Sequence, residues 1–341
     1  MILVSACVAQ PIAMRKDWFF GRTASIHFDA QNIPSFERKN PNSVYAKMAS
    51  AYLRDGTFAF KTVGSGIYNL TNTLVKTLNL GSASGVQVVN HSENDSLFNI
   101  ITLSGGKLYH TVYNHYSNFV VQEPNMFLEN VGISFTMIKH CYAEGFWVVA
   151  PLSSNKWQSY YLQGSSIQKG QESPMPFARP GSMIDITSNH KGDKIAASTY
   201  AADGFVTLYD FDSKCGVLSN STKLPQSTTQ IPWDYPLGLD FSPSDQFLYV
   251  CYSNGLSQLV QYRVGDLTQN QVIHSTTNDA TQFDDILMAP DGQAYLNRHN
   301  FGTPSRQIDV IQTPNAQGFG CGYKQNAHQL AESTNGGFQF P

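Results

Sequence analysis

Three aspartates are the first residues in this chain whose type and setting could do chemistry. Asp185 lies in MIDITS, Asp240 in LGLDFS and Asp284 in FDDILM, each within a short apolar run. Carboxylates converging from several strands can hold a hard cation such as Ca2+, or the hydroxyls of a sugar. The same side chains have a plainer use, which is to accept hydrogen bonds from backbone amides of neighbouring strands. A second set is aromatic. Trp157 stands with Tyr160 and Tyr161 in NKWQSYYLQ, and Trp233, Asp234 and Tyr235 lie in a loop just before the fifth repeat. Rings in loops anchor sugars or protein partners because they offer large area at low side-chain entropy cost. For Trp157, packing between sheets is the competing use. Nine histidines occur, none in HxH or HExxH spacing. His110 and His115 flank Tyr113 in YHTVYNHY, which reads either as a stacking patch or as a strand with a buried face. No GxSxG elbow, phosphate loop or dinucleotide fingerprint is present, so no nucleophile or cofactor site is assigned.

The elements that must position these residues are strands. Leu237 to Val264 holds three: LGLDFS, QFLYVCYS after a Ser-Pro-Ser-Asp turn, and LSQLVQYRV after Asn254-Gly255. Three antiparallel strands with apolar faces on both sides need copies of themselves to pack against. The copies are found at second strands beginning at Thr57, Leu97, Phe146, Lys194, Phe247 and Ala294. Each follows a polar turn, such as Arg54-Asp55-Gly56, Lys191-Gly192-Asp193 or Pro290-Asp291-Gly292. A repeat of roughly 40–50 residues with three or four strands is the signature of a β-propeller. The expectation is an all-β propeller of six or seven blades over residues 17–341, with residues 1–16 as an extension. Asp17–Asp29 is outside the six repeats and is expected to pair with the C-terminal strands and close the ring, or to share a seventh blade with Phe319–Leu330. The innermost strands should be those before the polar turns. Gln31–Ser43, with Pro34 and Pro41, reads as an exposed loop.

Composition narrows the setting. Charged residues are 14% of the chain, below the roughly 25% of ordinary soluble domains, and net charge is −3. No basic run marks a nucleic-acid surface, and no stretch of about 18 apolar residues marks a transmembrane helix. The five cysteines, Cys7, Cys141, Cys215, Cys251 and Cys321, fit no zinc spacing. Cys251 reads as a buried small hydrophobe. Cys215 and Cys321 read as loop residues that an oxidising compartment could bridge. MILVSACVAQ resembles the tail of a secretory signal, and Val4-Ser5-Ala6-Cys7 fits a bacterial lipoprotein box with lipid attachment at Cys7.

Several segments resemble one known family. WFFGRTASIHFD, YDFDSKCGVLSN (Tyr209–Asn220), PLGLDFSPSDQFLYV, MAPDGQAYL and GFGCGYKQNAHQL are similar to motifs of the propeller-type repeat region in secreted and surface proteins of Bacteroidetes, associated with gliding motility and type IX secretion. The resemblance covers about residues 17–341 and is weaker in the first three repeats. It implies a secreted or cell-surface protein that binds other surface proteins or glycans, or assembles with itself, without catalysis and without a cofactor. A propeller enzyme of lactonase or glycosidase type, using the aspartates with or without Ca2+, is the rival, and a subunit of a virion or extracellular filament is a third reading.

Overall fold

The computed structural model describes residues 17–20, 24–38, 48–69, 71, 73–141, 143–177, 183–199, 204–225, 235–254, 256–276, 281–300 and 306–330. It is an all-β propeller. Strands β1 (Asp17–Phe20), β2 (Ala24–Phe28) and β3 (Pro34–Arg38) form a three-stranded sheet. Blade 1 follows with β4 (Met48–Tyr52), β5 (Phe58–Val63), β6 (Gly66–Tyr68) and β7 (Leu74–Thr77). Blade 2 holds β8 (Ala83–Asn90), β9 (Leu97–Ser104), β10 (Lys107–Asn114) and β11 (Phe119–Glu129). Blade 3 holds β12 (Thr136–Lys139), β13 (Phe146–Leu152), β14 (Lys156–Gln163) and β15 (Ser166–Pro174). Blade 4 holds β16 (Met183–Ser188), β17 (Lys194–Thr199), β18 (Val206–Asp212) and β19 (Val217–Lys223). Blade 5 holds β20 (Tyr235–Phe241), β21 (Phe247–Asn254), β22 (Leu256–Arg263) and β23 (Asp266–Ser275), and blade 6 holds β24 (Thr281–Met288), β25 (Ala294–Asn300), β26 (Gln307–Ile311) and β27 (Tyr323–Gln329). Every blade is an antiparallel meander in sequence order. The six second strands are the six read from the repeat.

The layering follows from side-chain pattern. Second strands such as β9 (iBBBBBBB) and β13 (iBBBBBi) are buried on both faces, while fourth strands such as β11 and β15 alternate with exposed positions. The first strands of successive blades lie beside one another, β4 with β8, β16 with β20, and β20 with β24. First strands therefore line the axis and fourth strands form the rim. Apolar side chains gather at the seams. Separate clusters join blades 1 and 2 (Phe60 with Phe98), 2 and 3 (Leu103 with Val148), 3 and 4 (Trp157 with Tyr209), 4 and 5 (Leu208 with Val250), and 5 and 6 (Tyr249 with Ile286). Burying one such side chain is worth about 1.5–3 kcal/mol, so each seam stabilises two sheets at once.

The chain ends meet by side chains. Ile26 and Phe28 of the three-stranded sheet pack with Tyr295, Ile308, Val310 and Leu330 of blade 6 and its flank. Phe28 meets Tyr295 edge-on at 5.8 Å, and Phe36 stacks on His328 at 4.5 Å. On its other side β1 adjoins β4. Among the described residues the strand pairing expected between the two ends does not occur: β1 to β3 pair with one another, and the segment Tyr323–Gln329 is the fourth strand of blade 6. The Gln31–Ser43 segment is also not all loop, because Pro34 opens β3. This strand is an edge, where a missing N–H costs no ladder bond.

Cys251 is fully buried within β21, as read. Cys215 and Cys321 are free thiols, so they do not bridge one another; Cys321 sits buried in a 3-10 turn at Gly318–Cys321. Cys141 is disulfide-bonded, and Cys7 lies outside the described residues.

One seam explains a motif glycine. Trp147 of blade 3 donates its indole N–H to the Ser213 carbonyl of blade 4 at 2.7 Å. Gly216 lies against that ring at φ +72°, and a Cβ there would stand 2.6 Å from Trp147 Cζ3. Gly216→Ala is expected to lower stability by about 2–4 kcal/mol, strain and overpacking combined. Gly292→Ala, at φ +79° with open space around it, should cost about 1 kcal/mol. Urea denaturation of both variants distinguishes packing from backbone strain.

Candidate functional site

The axial strands carry the aspartates, and the strands are bulged where these residues sit. In β16 the residues between Met183 and Ile186, and in β24 the residue between Phe283 and Asp285, are left out of register with their partners. Asp185 and Asp284 are therefore bulge residues. In β20 the bulge falls at Leu237, three residues before Asp240. The three carboxylates thus stand at different levels along their strands rather than in one ring.

Two of them reach sideways to the next blade. Asp185 Oδ2 accepts from the Leu239 amide of β20 at 2.9 Å. Asp240 Oδ2 accepts from the Met288 amide of β24 at 2.8 Å, while its Oδ1 accepts from its neighbour Phe241 at 2.9 Å and from the Thr187 hydroxyl at 3.4 Å. Both Asp240 oxygens are engaged, and the side chain is 8% exposed. Asp285 accepts from the Ile286 amide at 2.8 Å. Gly238 lets β20 approach this point, since a Cβ there would stand 2.6 Å from Asp285 Cα. The plainer use of the aspartates, amide acceptance across blades, is what the geometry contains for Asp185 and Asp240; Asp284 is buried in the bulge of β24. Among the described residues no group of three or more His, Cys, Asp or Glu side chains is arranged to hold a metal ion.

A second device links the same blades at the polar turns. Asp245, in left-handed conformation at φ 59°, ends the Ser-Pro-Ser-Asp turn of blade 5. Its Oδ1 accepts from the backbone and ring Nδ1 of His190, each at 2.9 Å, and its Oδ2 from the Lys191 amide at 3.0 Å. This turn-to-turn clamp was not legible in the sequence. The two turns were, but their partnership spans 55 residues. Also outside the sequence reading is the buried pair of Arg298 in β25 and Asp309 in β26, at 2.9 Å, where Asp309 further accepts from Tyr323 and the Asn326 amide.

Electrostatics follow from burial. Desolvation raises Asp240 to a pKa of about 6, against the hydrogen bonds from Met288 and Phe241 that favour the anion. Burial likewise raises Asp309 despite Arg298. The bond to Asp245 raises His190 above its usual value, in spite of desolvation. For Asp245 burial works upward, but the bonds from the His190 side chain and backbone prevail and its pKa falls. His110 is 2% exposed, and burial lowers it to about 4. Its Nε2 lies 2.7 Å from Asn99 Oδ1 and its Nδ1 3.2 Å from Gln122 Nε2, which fits a neutral ring donating to one and accepting from the other. The YHTVYNHY run is thus a strand as far as Asn114, buried on both faces from His110 to Tyr113.

The aromatic candidates divide. Trp157 is fully buried and meets Tyr209 of blade 4 edge-on at 5.4 Å, so its ring fills a seam. Tyr160 packs edge-on against Phe127 of blade 2 at 5.0 Å. Tyr235 is half-buried at the start of β20. Trp233 and Asp234 lie outside the described residues.

No family model and no curated protein matches the chain. Solved structures do. A candidate 6-phosphogluconolactonase from Bacteroides uniformis matches with TM-score 0.61 at 10% identity, over 94% of this chain and 98% of that one. A periplasmic gluconolactonase from Pseudomonas aeruginosa matches with TM-score 0.61 at 12% identity, over 93% and 96%. The extracellular domain of a candidate one-component system from B. thetaiotaomicron matches with TM-score 0.54 at 11% identity, over 94% of this chain and 36% of that one. At such identities the likeness is one of fold, a β-propeller shared with bacterial extracellular and periplasmic domains.

Two pH effects follow. An Asp raised from 3.8 to about 6 gives full stability below pH 4 and loses it as pH rises through 6, in total about 3 kcal/mol. Asp240→Asn should flatten that fall, seen as urea midpoints measured from pH 4 to 7. A His lowered to about 4 acts oppositely: stability is full above pH 6.5 and is lost as pH falls toward 4, again by about 3 kcal/mol. His110→Gln should remove the acid-side loss.

Proposed function

We propose that the protein is a non-enzymatic propeller that binds protein or glycan partners outside the cytoplasm. The observation that carries this reading is the employment of Asp185 and Asp240: their carboxylates accept from backbone amides of the next blade. A carboxylate whose lone pairs are taken by structural amides is poorly placed to take a proton from a substrate. Placement outside the cytoplasm is supported by the low charged fraction, by the disulfide at Cys141, and by the extracellular and periplasmic proteins among the structural likenesses. Among the described residues no helix is long and apolar enough to cross a membrane. We read the chain further as a relative of the Bacteroidetes surface repeat proteins, with type IX secretion as its export route, on the strength of the Tyr209–Asn220 and Pro236–Val250 motifs.

The rival is a lactonase. It is favoured by two likenesses over nearly the whole chain, one named a gluconolactonase and one a candidate 6-phosphogluconolactonase. Both readings meet in one pair of measurements. The purified chain is expected to leave glucono-δ-lactone hydrolysing at its uncatalysed rate, and, immobilised, to retain a protein or glycan from bacterial surface extract. Hydrolysis at least a hundredfold above background, lost in Asp240→Asn or Asp284→Asn while the fold melts normally, would install the lactonase in its place.

A further inference from the structure

We propose that the groove at the seam of blades 2 and 3 is a binding site for a neutral saccharide; this deepens the partner-binding reading above and rests on it. One wall is the turn between β8 and β9, with His91, Glu93 and Asn94, and the other is the turn between β14 and β15, with Gln163, Ser165 and Ser166. Leu97 supplies an apolar floor. Both turns lie on the propeller face that carries the polar turns.

The groove is built rather than incidental. The first wall is pinned throughout. Arg54 of blade 1 donates to the Ser92 carbonyl at 2.9 Å and pairs with Asp95 at 2.7 Å. Asn94 Oδ1 accepts from the Ser96 amide and hydroxyl at 2.9 and 2.7 Å. The second wall is tied to the first, because the Gly164 amide donates to Ser92 Oγ at 2.8 Å. Gly164 stands at φ +53°, and a Cβ there would come 3.2 Å from the Glu93 carboxylate. Glycine thus leaves space for that carboxylate at the rim. A site whose walls are already ordered loses little entropy on binding.

The chemistry of the walls selects the ligand. His91 is 5% exposed, and burial lowers its pKa, so the ring is neutral. Its Nδ1 accepts from the Glu93 amide at 3.2 Å, which places the ring proton on Nε2, and this nitrogen donates to Ser165 Oγ at 3.0 Å. In that tautomer His91 cannot take the Ser165 proton, so the pair is not a nucleophile and its base. Ser165 accepts that bond and keeps its own proton to donate. Among the described residues the Glu93 carboxylate, the Gln163 carboxamide and the Ser166 hydroxyl make no side-chain hydrogen bond. Acceptor, mixed donor–acceptor and hydroxyl around an apolar floor match the hydroxyls and the C–H face of a pyranose ring. Glu93 is the one charged side chain lining the groove, and it repels phosphorylated or uronic sugars.

The test uses the full chain and saturation-transfer NMR with glucose, galactose, mannose and N-acetylglucosamine, with glucuronate and glucose 6-phosphate as anionic controls. At least one neutral sugar is expected to bind, with the anionic sugars weaker. Glu93→Gln and Gln163→Ala should each weaken binding tenfold or more at unchanged melting temperature; the second keeps the test open should the first variant fail to fold. Binding of none of the neutral sugars, equal binding by both variants, or a preference for the anionic sugars would overturn the site. Recovery of a protein partner from surface extract alongside sugar failure would sink the groove alone and leave the partner-binding reading standing.

Discussion

A sheet with apolar side chains on both faces cannot exist by itself in water, and this constraint governs the whole molecule. Each blade from the first to the sixth places its second strand between two neighbours, and the apolar clusters form at the seams rather than within a central core. Burial alone, however, is non-directional. Flat apolar faces would allow one blade to slide past the next. Direction comes from polar side chains that reach across the seams to backbone groups: Gln87 to the Phe135 carbonyl, Trp147 to the Ser213 carbonyl, Asp185 to the Leu239 amide and Asp240 to the Met288 amide. Each accepts or donates at one position of the neighbouring blade, so each fixes register.

This division of labour bears on function. In a propeller the axis is where first strands converge, and polar residues there are natural suspects for chemistry. Here two of the suspects, Asp185 and Asp240, are tied into the scaffold. Asp240 pays for this with a raised pKa, since burial costs its anion more than two backbone amides return. Where the fold leaves polar groups unspent is at the turns, on the surface, and the seam of blades 2 and 3 gathers several of them. Loops held by a rigid frame are the usual home of recognition.

Much of the fold was legible because it is local and repeated. Alternation, turn chemistry and the 40- to 53-residue interval located all six second strands, and the β-branched and aromatic run FLYVCYS is β21 itself. The identity of the innermost strands followed from the same pattern. What escaped was long-range. Nothing in the sequence pairs His190 with Asp245, or His91 with Ser165 seventy-four positions away. Trp157 illustrates a different limit: a polar-flanked tryptophan looks exposed, yet alternation in β14 sends it inward to Tyr209. The chain ends show a related limit. Strand character in Asp17–Phe28 was visible, but Pro34 concealed the third strand that lets this segment form its own sheet.

That small sheet gives the ring an uneven circumference. Blades 4, 5 and 6 are stitched by both apolar clusters and directed hydrogen bonds, whereas the three-stranded sheet meets blade 6 through an apolar cluster and ring stacking. Pulled from its two ends, the described chain loads the N-terminal sheet and blade 6 first, because these carry its first and last strands, and the Ile26, Phe28, Tyr295 and Leu330 cluster between them takes the strain before the seams of blades 2 to 5. Such graded yielding lets the ends give way while the middle keeps its shape.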